Sequence, residues 1–337
     1  MKAVVLVGGF GTRLRPLTLH TPKQMLPIVD RPMIEWVLAH LARHGVDEAV
    51  LSLGYRTDDF ERAYPDNSCA GVKLHYAVEP EPLDTAGAIR FAALDAGIDE
   101  RFLVMNGDVL TDLDIGALVD FHVRSQAEGT ITLHEVDDPS RYGVVPTDDA
   151  GRVIAFVEKP PPGEAPTNLI NAGTYVLEPS VLDRIPPDRK VSIERETFPA
   201  MVAEGTLFAT SDRGVYWLDT GTPETYIRAQ LDVVEGRRTV GAPAKAVGPG
   251  ARIAATAVVD ASVIGAGVVV GADAEIVGSI VQQGASIGAK ARIINSIIGE
   301  RASVGDGATV EEVSVIGPGE IITAGAVLQA ARVPESD

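Results

Sequence analysis

Downstream of its first hydrophobic run the chain reads Gly8-Gly9-Phe10-Gly11-Thr12-Arg13-Leu14-Arg15-Pro16-Leu17-Thr18, and Pro22-Lys23 follows. Glycines directly after a strand let backbone N–H groups approach phosphate oxygens closely. Two common phosphate motifs do not fit the spacing. A dinucleotide fingerprint needs a third glycine where Leu14 stands, and a P-loop needs Gly-Lys-Ser/Thr where Arg13 stands. What remains is a Gly-rich turn with fixed cations, Arg13 and Lys23, and Arg15 nearby. Arginine suits bidentate contact with phosphate, and lysine acts as a movable point charge. Residues 1–29 contain four cations and no carboxylate, a local charge of +4. The whole chain of 337 residues has 29 Lys and Arg against 47 Asp and Glu, a net charge of −18. So acidic a chain is ill suited to nucleic acid or to an anionic membrane surface. The partner expected at the basic island is an anionic small molecule.

Such a turn must be held by strands and helices, and the first half of the chain alternates them. Lys2–Val7 is a β-branched run that stops at Gly8-Gly9. Pro32 opens a helix in which Ile34, Val37, Leu38 and Leu41 share one face, ending near His44-Gly45. Glu48–Leu53, Val72–Val78, Phe102–Met105 and Ile170–Leu177 read as strands, with a short helix between the first two. Thr85–Leu94 is Ala-rich and helical, and Thr222-Pro223-Glu224 is a capped helix start. Strand and helix alternating at this spacing imply an α/β fold with a mostly parallel, Rossmann-like sheet.

Beyond residue 239 the aromatics vanish, and aliphatic residues recur at a period of six. The series runs Val247, Ile253, Val259; then Ile264, Val270, Ile276; then Ile287, Ile293; then Ile298, Val304, Val310, Ile316, Ile322. Glycine directly follows several of them, Gly265, Gly271 and Gly288 among others. This is the signature of a parallel β-helix of about five coils, of the left-handed hexapeptide-repeat type. The expected domains are therefore a catalytic domain, 1–238, and a hexapeptide-repeat domain, 239–337, serving assembly or regulation.

Hydrophobic content of 45% with 23% charged residues is ordinary for a globular protein. The N-terminal apolar run is too short for a signal peptide, and no stretch approaches the ~18 apolar residues of a membrane span. Cys69 stands alone, which excludes an internal disulfide and suits the cytoplasm.

The ordered motifs of the chain resemble those of the sugar-nucleotidyltransferase (nucleoside-diphosphate-sugar pyrophosphorylase) family. They are the signature at 8–18 with Pro22-Lys23, Pro82-Leu83…Thr85-Ala86-Gly87, Asn106-Gly107-Asp108, Tyr142-Gly143-Val144-Val145, Val157-Glu158-Lys159-Pro160, Asn171-Ala172-Gly173 and Trp217-x-Asp219-x-Gly221-Thr222-Pro223. Within the family the chain is most similar to the mannose-1-phosphate guanylyltransferase branch, including its hexapeptide tail and the stretch Ser192-Ile193-Glu194-Arg195-Glu196. The resemblance implies transfer of a nucleotidyl group from a nucleoside triphosphate to a sugar 1-phosphate with release of pyrophosphate. GTP and mannose 1-phosphate are the first choice, and dTTP, UTP or ATP with another sugar phosphate is the alternative. Positioning and charge neutralisation supply most of the acceleration in such chemistry. Arg13 and Lys23 would hold the triphosphate, with Arg13, Lys23 and Asp108 as catalytic groups. Asp108 and Asp219, far apart in sequence, would bind Mg²⁺, which takes one or two carboxylates plus phosphate oxygens and water. Leu6, Gly8, Gly9, Gly11, Thr12, Arg13, Glu79, Asp84, Thr85 and Gly107 would line the nucleotide. Gly143, Glu158, Lys159 and Asn171 would meet the sugar phosphate. A homo-oligomer through the β-helix is expected.

The nucleobase rests on Val78–Asp84. A carboxylate at Glu79 can accept from both guanine N1–H and N2–H₂, an edge that thymine lacks. Asp84 departs from the branch, which usually has Gly there; its side chain either crowds the base or adds an acceptor. Two rival functions are weighed. A sugar-nucleotide acyltransferase generally wants a histidine base, and the six histidines, at 20, 40, 44, 75, 122 and 134, all precede the repeats. A catalytically silent sugar-nucleotide-binding subunit should have lost cations or metal ligands, yet Arg13, Lys23, Asp108 and Asp219 are all present.

Overall fold

The computed structural model describes residues 1–54, 57–187, 189–211, 214–238 and 244–335. The boundary expected at 238/239 adjoins residues 239–243, outside the described ones. The chain forms two compact units, one of residues 1–9 and 34–217, the other of residues 10–33 and 218–337.

The first unit is built on a ten-stranded sheet. Its parallel centre consists of β1 (Lys2–Leu6), β2 (Glu48–Leu53), β3 (Val72–Val78) and β4 (Phe102–Asn106), with β1 between β4 and β2 and β3 beyond β2. The register sets Leu6 beside Ser52 on one side and Asn106 on the other, so three strands end level at one edge. Among the later strands are β5 (Gly129–Glu135), β6 (Gly143–Val144), β7 (Val157–Glu158), β8 (Leu169–Leu177) and β9 (Leu207–Ser211). β8 runs antiparallel to β4, β5 and β6, and β9 lies parallel to β5. Helix α1 (Met33–Arg43) buries Ile34, Val37, Leu38 and Leu41, the stripe its sequence period requires. Helix α2 (Asp84–Asp95) is small and aliphatic at its buried positions, from Ala86 to Ile89 and at Ala92 and Ala93. Its Ala86, Ile89 and Ala93 share a core with Val4, Val50 and Val104. The helix expected between β2 and β3 is Thr57–Ala63. No helix among the described residues is long and apolar enough to cross a membrane.

In the second unit, three all-parallel five-stranded sheets form the left-handed β-helix, with the expected aliphatic series inside from Ile253 onward; Val247, expected at its start, is 43% exposed. A full turn takes 17 residues rather than three sixes, as in the ladder Val259, Ile276, Ile293, Val310. The missing residue is taken out at one corner, where Ala261, Gly278, Asn295 and Val313 turn with positive φ. The fourth of the five coils regains it there, where Glu312 also has positive φ and Val310 pairs with Leu328. The serine after each corner residue, Ser262, Ser279, Ser296 or Ser314, donates to a carbonyl near its own corner. Ser262, Ser279 and Ser314 also accept an N–H from the next coil, as in Ser279 N to Ser262 Oγ at 3.0 Å and Ser296 N to Ser279 Oγ at 3.0 Å. Glycine after an inward aliphatic is needed where coils approach closely. A Cβ on Gly265 would sit 2.6 Å from Gln283 N.

One face of the coil stack differs from the other two. Its strands carry doubled aliphatics, Val263-Ile264, Ile280-Val281, Ile297-Ile298 and Val315-Ile316, and the outward members are buried like the inward ones. Helix α3 (Pro223–Val234) and residues 10–33 of the same unit cover this face. Thr222 caps the helix in a capping box with Thr225, and Pro223 sits at its first position. Tyr226 Oη donates to the Pro27 carbonyl and accepts from Gln282 Nε2 at 3.1 Å.

Candidate functional site

In the first unit the residues expected at the nucleotide gather where β1, β2 and β4 end. Gly107 follows β4 and its N–H donates to Leu6 O at 2.9 Å; a Cβ there would lie 2.7 Å from Val7 Cγ1. Gly8 faces Gly54 and Glu79, whose Oε1 would be 3.7 Å from an added Cβ. Gly9 has open space around it. Asp108 is half-buried in the turn after Gly107.

Glu79 is buried, and each carboxylate oxygen already accepts one protein hydrogen bond. Ser52 Oγ donates to Oε1 at 3.2 Å and Leu83 N to Oε2 at 2.9 Å. It therefore ties the loop 79–83 to the end of β2. Each oxygen retains a further lone pair that can accept a second donor.

Asp84 adopts φ +62°, the left-handed region that glycine occupies without cost. This is the physical reason a glycine suits the position, and aspartate is among the side chains that tolerate it. Its carboxylate is turned onto protein. Oδ1 accepts Thr85 N at 2.8 Å, and Oδ2 accepts Arg195 Nη2 at 3.2 Å. Thr85 is likewise committed: its hydroxyl donates to Glu194 Oε2 at 2.8 Å and accepts from Ile193 N at 2.8 Å.

The expected sugar-phosphate residues form two groups in the same unit. Gly143 pairs with Glu158 across β6 and β7, and a Cβ on it would reach within 3.0 Å of Glu158 Oε2 and 2.6 Å of Phe156 Cζ. Lys159, at φ +50°, donates its N–H to Tyr142 O at 3.0 Å, and its ammonium lies 3.1 Å from Glu158 Oε1. The carboxylate–ammonium pair is thus formed locally. Asn171 sits at the irregularity in β8, where Nδ2 donates to Tyr175 Oη at 2.9 Å and Oδ1 accepts Gly173 N at 3.0 Å. Burial, followed by the charge of Glu194, raises the Tyr175 phenol well above its usual pKa, so it stays neutral.

The second unit brings together Gly11, Arg13, Lys23 and Asp219. Gly11 turns at φ +61°, and its carbonyl accepts Leu14 N at 2.9 Å and Thr18 Oγ1 at 2.8 Å. Thr12 and Arg13 are exposed on the short turn this creates. Lys23 is buried, with Nζ 3.9 Å from Asp219 Oδ1. Asp219 Oδ1 also accepts Gly221 N at 2.7 Å. A Cβ on Gly221 would stand 2.5 Å from Arg13 Nη2 and 2.8 Å from that same oxygen, so only glycine admits the guanidinium here. Two cations and one carboxylate thus surround the Gly221 backbone, an arrangement of charges able to meet an anion. Among the described residues no three or more His, Cys, Asp or Glu side chains cluster as a metal-binding group. A metal here would therefore be held by one or two carboxylates plus its substrate's oxygens, the donor set magnesium prefers.

Glu194 and Arg195 have a part that sequence reasoning missed. The available signal was the non-glycine at position 84, which needed a partner for its charge. Cys69 is buried, and burial pushes its thiol up to about 11, the state of an inert cysteine.

Comparison with known proteins identifies the family. Residues 2–236 match the family model described as nucleotidyl transferase, and residues 242–335 match the GMPPB C-terminal domain. Mannose-1-phosphate guanylyltransferase of Mycobacterium tuberculosis is 45% identical over 236 residues, covering 69% of this chain and 65% of that protein. The mannose-1-phosphate guanylyltransferase catalytic subunit beta of Drosophila melanogaster is 39% identical over 251 residues, covering 74% and 67%. The matched segments thus span about two thirds of these relatives' own length. Among solved structures, HddC from Yersinia pseudotuberculosis, also solved in complex with GMP-PN, is 32% identical with a TM-score of 0.59, covering 68% of this chain and 97% of that one.

Proposed function

The chain belongs to the nucleotidyl transferase family, and on that basis we propose that it transfers a guanylyl group from GTP to mannose 1-phosphate, releasing pyrophosphate and forming GDP-mannose. The observation that carries the reading is the arrangement of Arg13 and Lys23 with Asp219 around the Gly221 backbone. It supplies fixed positive charge beside a metal-binding carboxylate on a strongly acidic protein. Relatives named mannose-1-phosphate guanylyltransferase support the choice of substrates.

In this reading Arg13 and Lys23 neutralise the triphosphate and the charge that develops at the α-phosphorus, acting electrostatically from positions set before substrate arrives. Asp108 and Asp219 hold Mg²⁺, which when bound neutralises phosphate oxygens and orients them for in-line attack. Leu6, Gly8, Gly9, Gly11, Thr12 and Gly107 line the nucleotide with backbone, and Glu79 offers its remaining lone pairs to the guanine edge. Glu158 accepts from sugar hydroxyls, Lys159 meets the sugar's phosphate, and Gly143 and Asn171 shape the surface around them. We assign residues 1–238 to catalysis in the cytoplasm and 239–337 to homo-oligomer assembly. Val327 on the last coil, 66% exposed, supports an assembly role.

Pyrophosphate release measured over a matrix of nucleoside triphosphates and sugar 1-phosphates tests the proposal. Turnover should be highest with GTP and mannose 1-phosphate. Preference for dTTP, UTP or ATP would refute the guanine assignment, and no release with any pair would refute the enzyme.

A further inference from the structure

Loop 79–85 is held by a segment more than a hundred residues away in sequence. Val191 N donates to Leu83 O at 2.9 Å, and Val191 O accepts Ala86 N at 2.9 Å and Gly87 N at 3.2 Å. Ser192 Oγ donates to Glu194 Oε2 at 2.9 Å, the same oxygen that takes the Thr85 hydroxyl. Arg195 completes the set on Asp84. Helix α2 has no side-chain cap from Leu83, so its first amides are satisfied by Asp84 and by Val191. The segment meets this task through a π-helical turn, Ile193–Thr197, started by Ser192, whose Oγ accepts Arg195 N.

Packing alone does not fix this loop. Pro80, Glu81 and Leu83 border an open cavity of about 480 Å³, whose far side is formed by Arg90, Pro187 and Arg189. With a hollow on one side, the loop's position depends on Glu79 at one end and on the 191–195 stitching at the other. We infer that Glu194 and Arg195 are positioning residues for the nucleobase loop: through Thr85 and Asp84 they set how tightly the nucleotide is held, without touching it. The inference rests on the assignment of loop 79–85 to the nucleotide. It also decides the role of Asp84, whose carboxylate neither crowds the base nor accepts from it but locks the loop.

The test is steady-state kinetics and amide hydrogen exchange on the full chain carrying Arg195→Ala, Glu194→Ala or Arg195→Lys. Arg195→Ala should raise the nucleotide KM about threefold, the scale of one exposed ion pair. Glu194→Ala, which strands the partly buried Thr85 hydroxyl, should raise it about tenfold. The sugar-phosphate KM and kcat should stay within about twofold in both, because neither residue meets the reacting atoms. Arg195→Lys should restore most of the nucleotide KM. Exchange at amides 83–87 should speed up in both alanine variants with no substrate present. Unchanged exchange overturns the latch whatever the activity, and a uniform loss of kcat and both KM values overturns it in favour of general destabilisation. If the wild type turns over no substrate pair, the functional reading fails while the exchange measurement still decides the latch.

Discussion

In the α/β unit, parallel strands of five to seven residues are covered by helices, and each strand end opens into a different loop. In the coil stack, strands of two or three residues are covered by other strands, and each corner repeats the one before it. Both bury branched aliphatics on parallel ladders. The difference lies in what the ends of the strands are free to do. Loops after β1, β3 and β4 diverge into the glycines, Glu79 and Asp108, whereas the corners of the stack are constrained by a neighbour 17 residues away. Function belongs where loops can differ, and stability where they cannot.

Substitutions put this contrast at risk. The largest effect expected is on Asp108→Asn, which keeps shape and removes the charge proposed to bind Mg²⁺. Turnover should fall about a hundredfold or more with the melting temperature nearly unchanged. A wild-type rate at saturating Mg²⁺ would remove Asp108 from the metal-binding role. Next is a pair within the stack. Ile298 is fully buried and Ile321 is 75% exposed. Ile298→Ala should cost about 2–5 kcal/mol in denaturant unfolding and Ile321→Ala less than about 0.5 kcal/mol. Equal costs would show that the stack is not held by its inner column. The smallest effect separates the units by pH. Burial is the main cause lowering the pKa of His44, His122 and His134, with Asp114, Glu178 and Glu135 respectively opposing it. Such groups bind protons more readily when unfolded, so their contribution is complete above about pH 6.5 and is lost as pH falls below it. The stack has no histidine. Protection of α/β-unit amides should therefore weaken between about pH 6.5 and 5 more than that of coil amides; parallel weakening would disprove the assignment.

The stack was the more legible region because every contact in it is repeated at a fixed interval. The period of six revealed the coils, but not the corner that shortens each turn to 17, since the signal there is conformational: Ala261, Gly278, Asn295 and Val313 share a positive φ and no side-chain type. The doubled aliphatics at 263–264, 280–281, 297–298 and 315–316 were present in the sequence as well. Their doubling alone did not reveal the face covered from outside, because Val258-Val259, Val269-Val270 and Ile321-Ile322 are doubled too and expose their outward members. In the α/β unit, β2 and β3 were readable to the residue because their runs are bounded by turns. The candidate site was legible as residue types but not as partners. Nothing local to Asp84 announces Arg195, and nothing local to Gly221 announces Arg13, because these contacts join segments over a hundred residues apart.

The column of corner serines has a mechanical consequence. The hydroxyls of Ser262, Ser279 and Ser314 each fasten one coil to the one after it, so the stack is joined in series, like links loaded end to end. Pulled from its C-terminus, such a stack should yield one link at a time rather than all at once. Each yielding coil would free 17 residues, or 18 where the turn includes Glu312 and Val313, a lengthening of about 60 Å at full extension. That regular step would be a ruler built into the chain.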